Sequence, residues 1–241
     1  MDKASHPPLP ARSASARLAG ALYLGTIIFG LFAEMGVRGS LIVRDDASAT
    51  ASALLAHQAL FRASIAADLA MLACYIGVTA LFCLMFMPVS RRVSLAAAGF
   101  SLIGIAILAV DGFFLIAALR LVDAAPTLAT AIDAPQRAAM ALLALRLHGD
   151  GYDLSLVFFG VYCLMLGWLV WRSTFLPRSI SALMALAGVC YLLNSIADLA
   201  VPALGDALPA ATMLPTLIGE TVLALWLLVF GARPPASAHH R

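Results

Sequence analysis

Six apolar runs dominate the sequence, at roughly residues 18–37, 63–87, 94–119, 152–171, 179–201 and 211–231. Each is long enough to cross a hydrocarbon layer, which takes about 20 helical residues. In lipid the backbone has to satisfy its own polar groups, so such runs become helices. Composition agrees: 63% of the residues are hydrophobic and 12% are charged, where a soluble domain carries about 25% charge. The expected fold is therefore all-α: a polytopic bundle of six transmembrane helices in one domain, residues 16–232. Residues 1–15 and 233–241 read as disordered cytoplasmic tails, rich in Pro, Ala, Ser and His.

Two intervening stretches are too short and too polar to span. Residues 46–60 open on Asp46 as an N-cap. Residues 133–148 open on Asp133, with Gln136 three residues on, a capping-box spacing. In the latter, Met140, Leu143 and Leu147 share a face away from Arg137 and Arg146. Both stretches read as short helices in the membrane interface on the outer side.

Positive charge orients the chain. One end of the bundle would carry Lys3, Arg12, Arg17, Arg91, Arg92, Arg172, Arg178, Arg233 and Arg241, with Asp2 almost its sole acid. The other would mix Arg38, Arg44, Arg62, Arg120, Arg137 and Arg146 with six aspartates, among them Asp206. The basic end is expected in the cytoplasm, which places both termini there. The uncut N-terminal run reads as a first span, with no A-x-A cleavage site before Glu34.

Against that frame the stretch "GLFAEMGVRGS" stands out, because a carboxylate costs about 2.5–3.5 kcal/mol at mid-membrane on insertion scales. Glu34 is joined by Asp68, Asp111, Asp198 and Glu220, one from each of five spans, all in the outer half. Glu34 and Asp198 sit near helix C-termini, and Arg62 near an N-terminus, each against the helix dipole. Misplaced charges of opposite sign at one depth point to pairing: Glu34 with Arg38, four residues on, and Asp68 with Arg62 or another span's arginine. Asp150 and Asp153 read as the dipole-favoured opening of span four, and Arg120 as the favoured close of span three. Tyr191, Asn194, Ser195 and Asp198 share helical spacing, as do Thr216 and Glu220. Such stripes commonly glue helices. An unpartnered buried carboxyl favours its neutral form, which would suit a proton-linked site.

Other chemistries find little footing. There is no HExxH, no GxSxG and no phosphate-binding glycine loop. His148 beside the carboxylates leaves a metal site conceivable, although beside Gly149 it also reads as an interfacial residue at a helix end. His6, His239 and His240 lie in the tails. The four cysteines lie singly in apolar runs and read as small buried residues. A net charge of +2 and 15 Lys+Arg speak against a nucleic-acid partner.

The segments "ARLAGALYLGTIIFGLFAE", "VRGSLIV", "LFRASIAADL", "LHGDGYDLSLVFFG", "GWLVWRSTFLPRSI" and "IGETVLALWLLVFG" together resemble a prokaryotic membrane-protein family, domain-of-unknown-function family 4386, over roughly residues 16–231. The resemblance implies a helical multi-span protein and points to Glu34, Arg38, Arg62, Asp68, His148, Tyr152, Pro177, Arg178 and Glu220, with Asp111 and Asp198 fitting less distinctly. It brings no activity. The expected location is a bacterial cytoplasmic (inner) membrane.

The expected site is an outward-facing polar one formed by Glu34, Arg38, Arg62, Asp68, Glu220 and His148. Asp111, Asp198, Asn194 and Tyr152 stand in a second rank. It would bind or move a small molecule, a lipid head group or a proton, with the bilayer as partner and no metal or other cofactor. The alternatives are an intramembrane, lipid-modifying, metal-dependent enzyme, which the motifs disfavour, and a structural or partner-binding protein whose charges lock helices together.

Overall fold

A computed structural model describes residues 9–205, 207 and 210–232. Residues 1–8 and 233–241, with most of the two tails, lie outside the described residues, as do Lys3, His6, Asp206, Arg233, His239, His240 and Arg241. The described chain is helical throughout, with no strand. The elements are α1 (Leu9–Leu31), a π-helical segment (Phe32–Arg38), α2 (Gly39–Leu41), α3 (Ala47–Ala56), α4 (Gln58–Phe86), α5 (Arg91–Val122), α6 (Pro126–Ala131), α7 (Ala134–Arg172), α8 (Arg178–Ala200), α9 (Pro202–Gly205), a 3-10 turn (Ala210–Met213) and α10 (Leu214–Phe230). Six of these stretches are long and apolar enough to cross a membrane: Ser13–Leu41, Gln58–Phe86, Arg91–Val122, Ala134–Arg172, Arg178–Ala200 and Ala211–Phe230. The first helix starts at Leu9, inside the segment read as tail.

Each long helix packs on the next in sequence, and α10 returns to pack on α1, so the six close into a ring. The first and last spans meet at one end of it: Arg17 Nη2 donates to the Val229 carbonyl at 3.5 Å. Side chains cross between neighbours at the same end, with Ser94 donating to the Cys83 carbonyl and Ser181 to that of Gly167. Deeper in, Thr79 and Ser101 share a hydrogen bond. Lipid tails are as apolar as leucine, so close packing and polar contacts hold such helices together. At the α7–α8 crossing a Cβ on Gly188 would stand 2.7 Å from the Gly160 carbonyl oxygen. Glycine is what lets these two backbones touch.

The core runs through all six helices, from Tyr23 and Tyr75 across to Phe159, Tyr162, Cys163, Met184 and Leu223. Tyr75 and Phe159 meet across the ring, centroids 4.7 Å apart. The perimeter is the reverse of a soluble surface: Ile28, Leu84, Val110, Phe113 and Trp168 are among many large apolar side chains left exposed. An unbroken apolar belt of this kind is stable only against lipid. Near the termini, Arg172 lies over Trp168 and Arg178 over Trp171, aromatic and basic anchors of the interfacial type.

The two short stretches fare differently. Asp46 caps α3 by accepting from the Ala49 amide. Asp133 caps α7 in the same way, accepting from the Gln136 amide. No separate helix covers 133–148, however. Those residues are the first part of α7, which is 39 residues long. At 1.5 Å per residue it reaches about 58 Å, nearly twice a hydrocarbon core. Gly149 reads as a residue at a helix end, but it is helical, as is Gly151. The buried face is Ala138, Ala141, Leu142, Ala144, Leu145 and His148, and Met140, Leu143 and Leu147 point outward. Asp150 and Asp153 are thus well inside a helix and cap nothing. Arg120 does close α5 in its last turn, as read.

Gly188→Ala is expected to lower the thermal midpoint of the detergent-solubilised protein, since the new methyl strikes backbone and costs about 1–3 kcal/mol. Gly112 has nothing within 4 Å of a built Cβ, so Gly112→Ala should raise the midpoint slightly through helix propensity. Equal shifts for the two would contradict the close packing of α7 on α8.

Candidate functional site

The end of the bundle opposite the chain termini collects the intramembrane charges. The first span does not stop near Glu34. It widens into the π-helical segment Phe32–Arg38, and the Gly39 amide closes it onto the Glu34 and Val37 carbonyls. A π-segment of this kind inside a helix often marks a functional position. It sets Arg38 into the bundle with 3% of its surface exposed.

Arg38 is held from two sides. Its Nε donates to Glu34 Oε2 at 2.8 Å. Its Nη1 and Nη2 donate to Asp68 Oδ2 and Oδ1 at 2.6 and 3.1 Å, a two-pronged grip across to α4. Asp68 is 17% exposed and Glu34 48%. The expected Glu34–Arg38 pair is therefore present, and Asp68 is paired with Arg38, not with Arg62. Arg62 and Asp68 are six residues apart on one helix, about 240° around its axis, and cannot face the same point. Arg62 is exposed and lies 3.8 Å from Asp123 of the α5 C-cap.

Glu220 enters from α10 and is buried in the ring. The Tyr191 hydroxyl donates to its Oε1 at 3.1 Å, and the Cys163 thiol approaches the same oxygen at 3.9 Å. Cys163 is thus more than an apolar filler. The Tyr23 hydroxyl, buried nearby, is close enough to Glu220 to act on it although it makes no well-formed hydrogen bond, and the buried Tyr162 hydroxyl has no hydrogen-bond partner among the described residues. Tyr152 of α7, half-buried, sits within electrostatic reach of Glu34, Arg38, Asp68 and Glu220. Asp153, beside it, is within reach of Glu34, Asp150 and Asp198.

The remaining candidates go elsewhere. Asp111 and His148 form their own buried pair between α5 and α7, with His148 Nδ1 2.5 Å from Asp111 Oδ2. The ring and carboxylate meet off the hydrogen-bond direction, so these polar atoms keep unused bonding capacity. Gly151 makes the room, because a Cβ there would collide with the Asp111 carboxylate. His148 is a mid-helix core residue and not an interfacial one at a helix end. Asn194 accepts from Thr212 at 2.7 Å and donates to the Cys190 carbonyl, tying α8 to the turn before α10. Among the described residues no group of three His, Cys, Asp or Glu side chains is arranged to hold a metal ion.

Two residues of this region escaped the sequence reading. Cys163 carried no signal beyond its type. Asp153 reads as a helix opener, and the signal against that is the capping pattern at Asp133: a helix opening at Asp133 leaves Asp153 no dipole to complement.

The chain belongs to the family described as a domain of unknown function, DUF4386, whose pattern matches residues 18–231. It is also similar to an uncharacterized protein of Archaeoglobus fulgidus, 30% identical over 81 residues, which is 34% of this chain and 46% of that protein. The matched region thus spans about half of that relative's length. No solved structure matches.

Gly151→Ala should destabilise the protein, although alanine is the better helix former by about 1 kcal/mol. Adding Asp111→Ala should restore much of the loss, because the colliding carboxylate is gone. A Gly151→Ala/Asp111→Ala protein no more stable by thermal unfolding than Gly151→Ala alone would contradict the packing of Asp111 on α7.

Proposed function

We propose that the protein is a binding or transport-type membrane protein whose polar site lies at the bundle end opposite its termini. The observation that supports this is the Arg38 cluster, in which α1 and α4 meet through charge, with Tyr152 of α7 within electrostatic reach of both it and Glu220 of α10. Carboxylates outnumber the guanidinium there: Arg38 is met by both Glu34 and Asp68, and Asp153 lies within electrostatic reach of Glu34 and Asp198. That balance favours a cationic ligand, either an amine-bearing small molecule or head group or a proton. Glu34, about half exposed, is the member such a ligand would reach first. Glu220, beside Tyr191, is the deep acceptor.

The positive-inside rule would put the Arg17, Arg91, Arg92, Arg172 and Arg178 end in the cytoplasm and the site outside. The membrane is then a bacterial cytoplasmic one with both termini inside. A structural reading has one observation in its favour: Arg38 uses three of its N–H groups on carboxylates of its own bundle. The enzyme reading has less, since His148 meets a single carboxylate, that of Asp111.

Mass spectrometry of lipids and metabolites on gently purified protein separates these. Wild type should retain a specific basic species, and Glu220→Gln should retain about tenfold less, the worth of one charged hydrogen bond. Glutamine still accepts from Tyr191, so the fold should persist. An identical bound profile in the variant would count for the structural reading.

A further inference from the structure

We propose a second ligand site on the bundle's perimeter: the groove between α4 and α5 seats one acidic phospholipid, with Arg62 and Arg120 holding its phosphate. It shares no residue with the polar site above and stands or falls independently of it.

The groove has a volume of about 550 Å³ and is lined by Arg62, Ile65, Ala66, Leu69, Ile116, Leu119, Arg120 and Asp123. Its chemistry is divided by depth. The two arginines and Asp123 stand at the end of the bundle, and the rest of the lining is aliphatic. Leu69 lies seven residues further along α4 than Arg62, about 10 Å deeper into the membrane. A charged rim over an aliphatic trough open to the perimeter matches a lipid: head group above, acyl chain below.

Charge complementarity selects the acidic head group. Both arginines are exposed. Asp123 accepts from Gln58 Nε2 at 2.7 Å, while its approach to Arg62 is the longer 3.8 Å. Arg120 forms no ion pair among the described residues. The rim therefore carries one surplus positive charge and two guanidinium forks, the geometry that grips a phosphate with paired hydrogen bonds. It also accounts for Arg62, a cation in the early turns of α4 where the helix dipole disfavours it. A bound phosphate supplies the opposing charge that the distant Asp123 supplies weakly. A zwitterionic lipid brings its own cation to the same rim and gains less.

The test uses the full chain in vesicles of equal phosphatidylglycerol and phosphatidylcholine, followed by native mass spectrometry of retained lipid. Wild type should retain phosphatidylglycerol in preference. Arg62→Gln and Arg120→Gln should each cut that retention about fivefold, the worth of one arginine at an anionic membrane surface. Arg146→Gln is the control, since Arg146 is exposed at the same end and is engaged with Asp45 and the Arg44 carbonyl. It should leave the preference intact. Equal retention of both lipids by wild type, or equal loss from Arg146→Gln, would overturn the proposal. A phosphatidylglycerol with a photoreactive head group gives a reading on unmutated protein. Labels should map to residues 58–69 and 116–123, and labels spread evenly around the bundle would overturn the proposal as well.

Discussion

A guanidinium set among apolar helices has to be answered by opposite charge, and Arg38 is answered twice. Glu34 holds it from the same helix and Asp68 from the next. Taking one partner away from a buried pair leaves an uncompensated charge, which costs about 3–5 kcal/mol in proteins generally. The α1–α4 register at this depth therefore follows from this contact. The π-segment is its backbone counterpart: the helix widens over the seven residues that carry Glu34 and Arg38. Below it, small residues and shared hydroxyls do the joining. At its own level, charge does.

The polar interior is divided, and the division has a simple cause. Glu220 and Tyr191 lie where α8 and α10 meet, Asp111 and His148 where α5 and α7 meet, and Arg38 where α1 and α4 meet. Alternate pairs of neighbours in the ring, three of the six, thus have a polar contact of their own in that half of the bundle. α7 contributes to two of these groups, with His148 against Asp111 and Cys163 near Glu220, and its Tyr152 lies within electrostatic reach of Arg38. That makes α7 the element through which events at one cluster would be felt at another.

Much of this was legible in the residues. Six spans, the capping aspartates Asp46 and Asp133, and the Glu34–Arg38 pair all follow from local rules of length, capping and four-residue spacing. The failures were non-local or came from over-weighting a local signal. Gly149 reads as a helix end, yet the helix continues through it, and Gly151 two residues on admits Asp111, a contact made across helices. Of the two partners the sequence allows Asp68, helical geometry turns Arg62 away, and the arginine of another span, Arg38, is the one it meets. The Asp111–His148 pair has no sequence signature, because its partners are brought together only when α5 packs on α7. The π-segment left one trace, the glycines of "GVRG", too common a pattern to read.

The account rests on Arg38 and Asp68 acting as one unit. A double-mutant cycle with Arg38→Met and Asp68→Leu, followed by thermal unfolding in detergent, measures that directly. Each single variant should lose about 3 kcal/mol. The double variant, with no charge left unpaired between the two positions, should be more stable than either single one. Losses that simply add would mean that the two side chains stabilise the bundle separately, and would contradict the account.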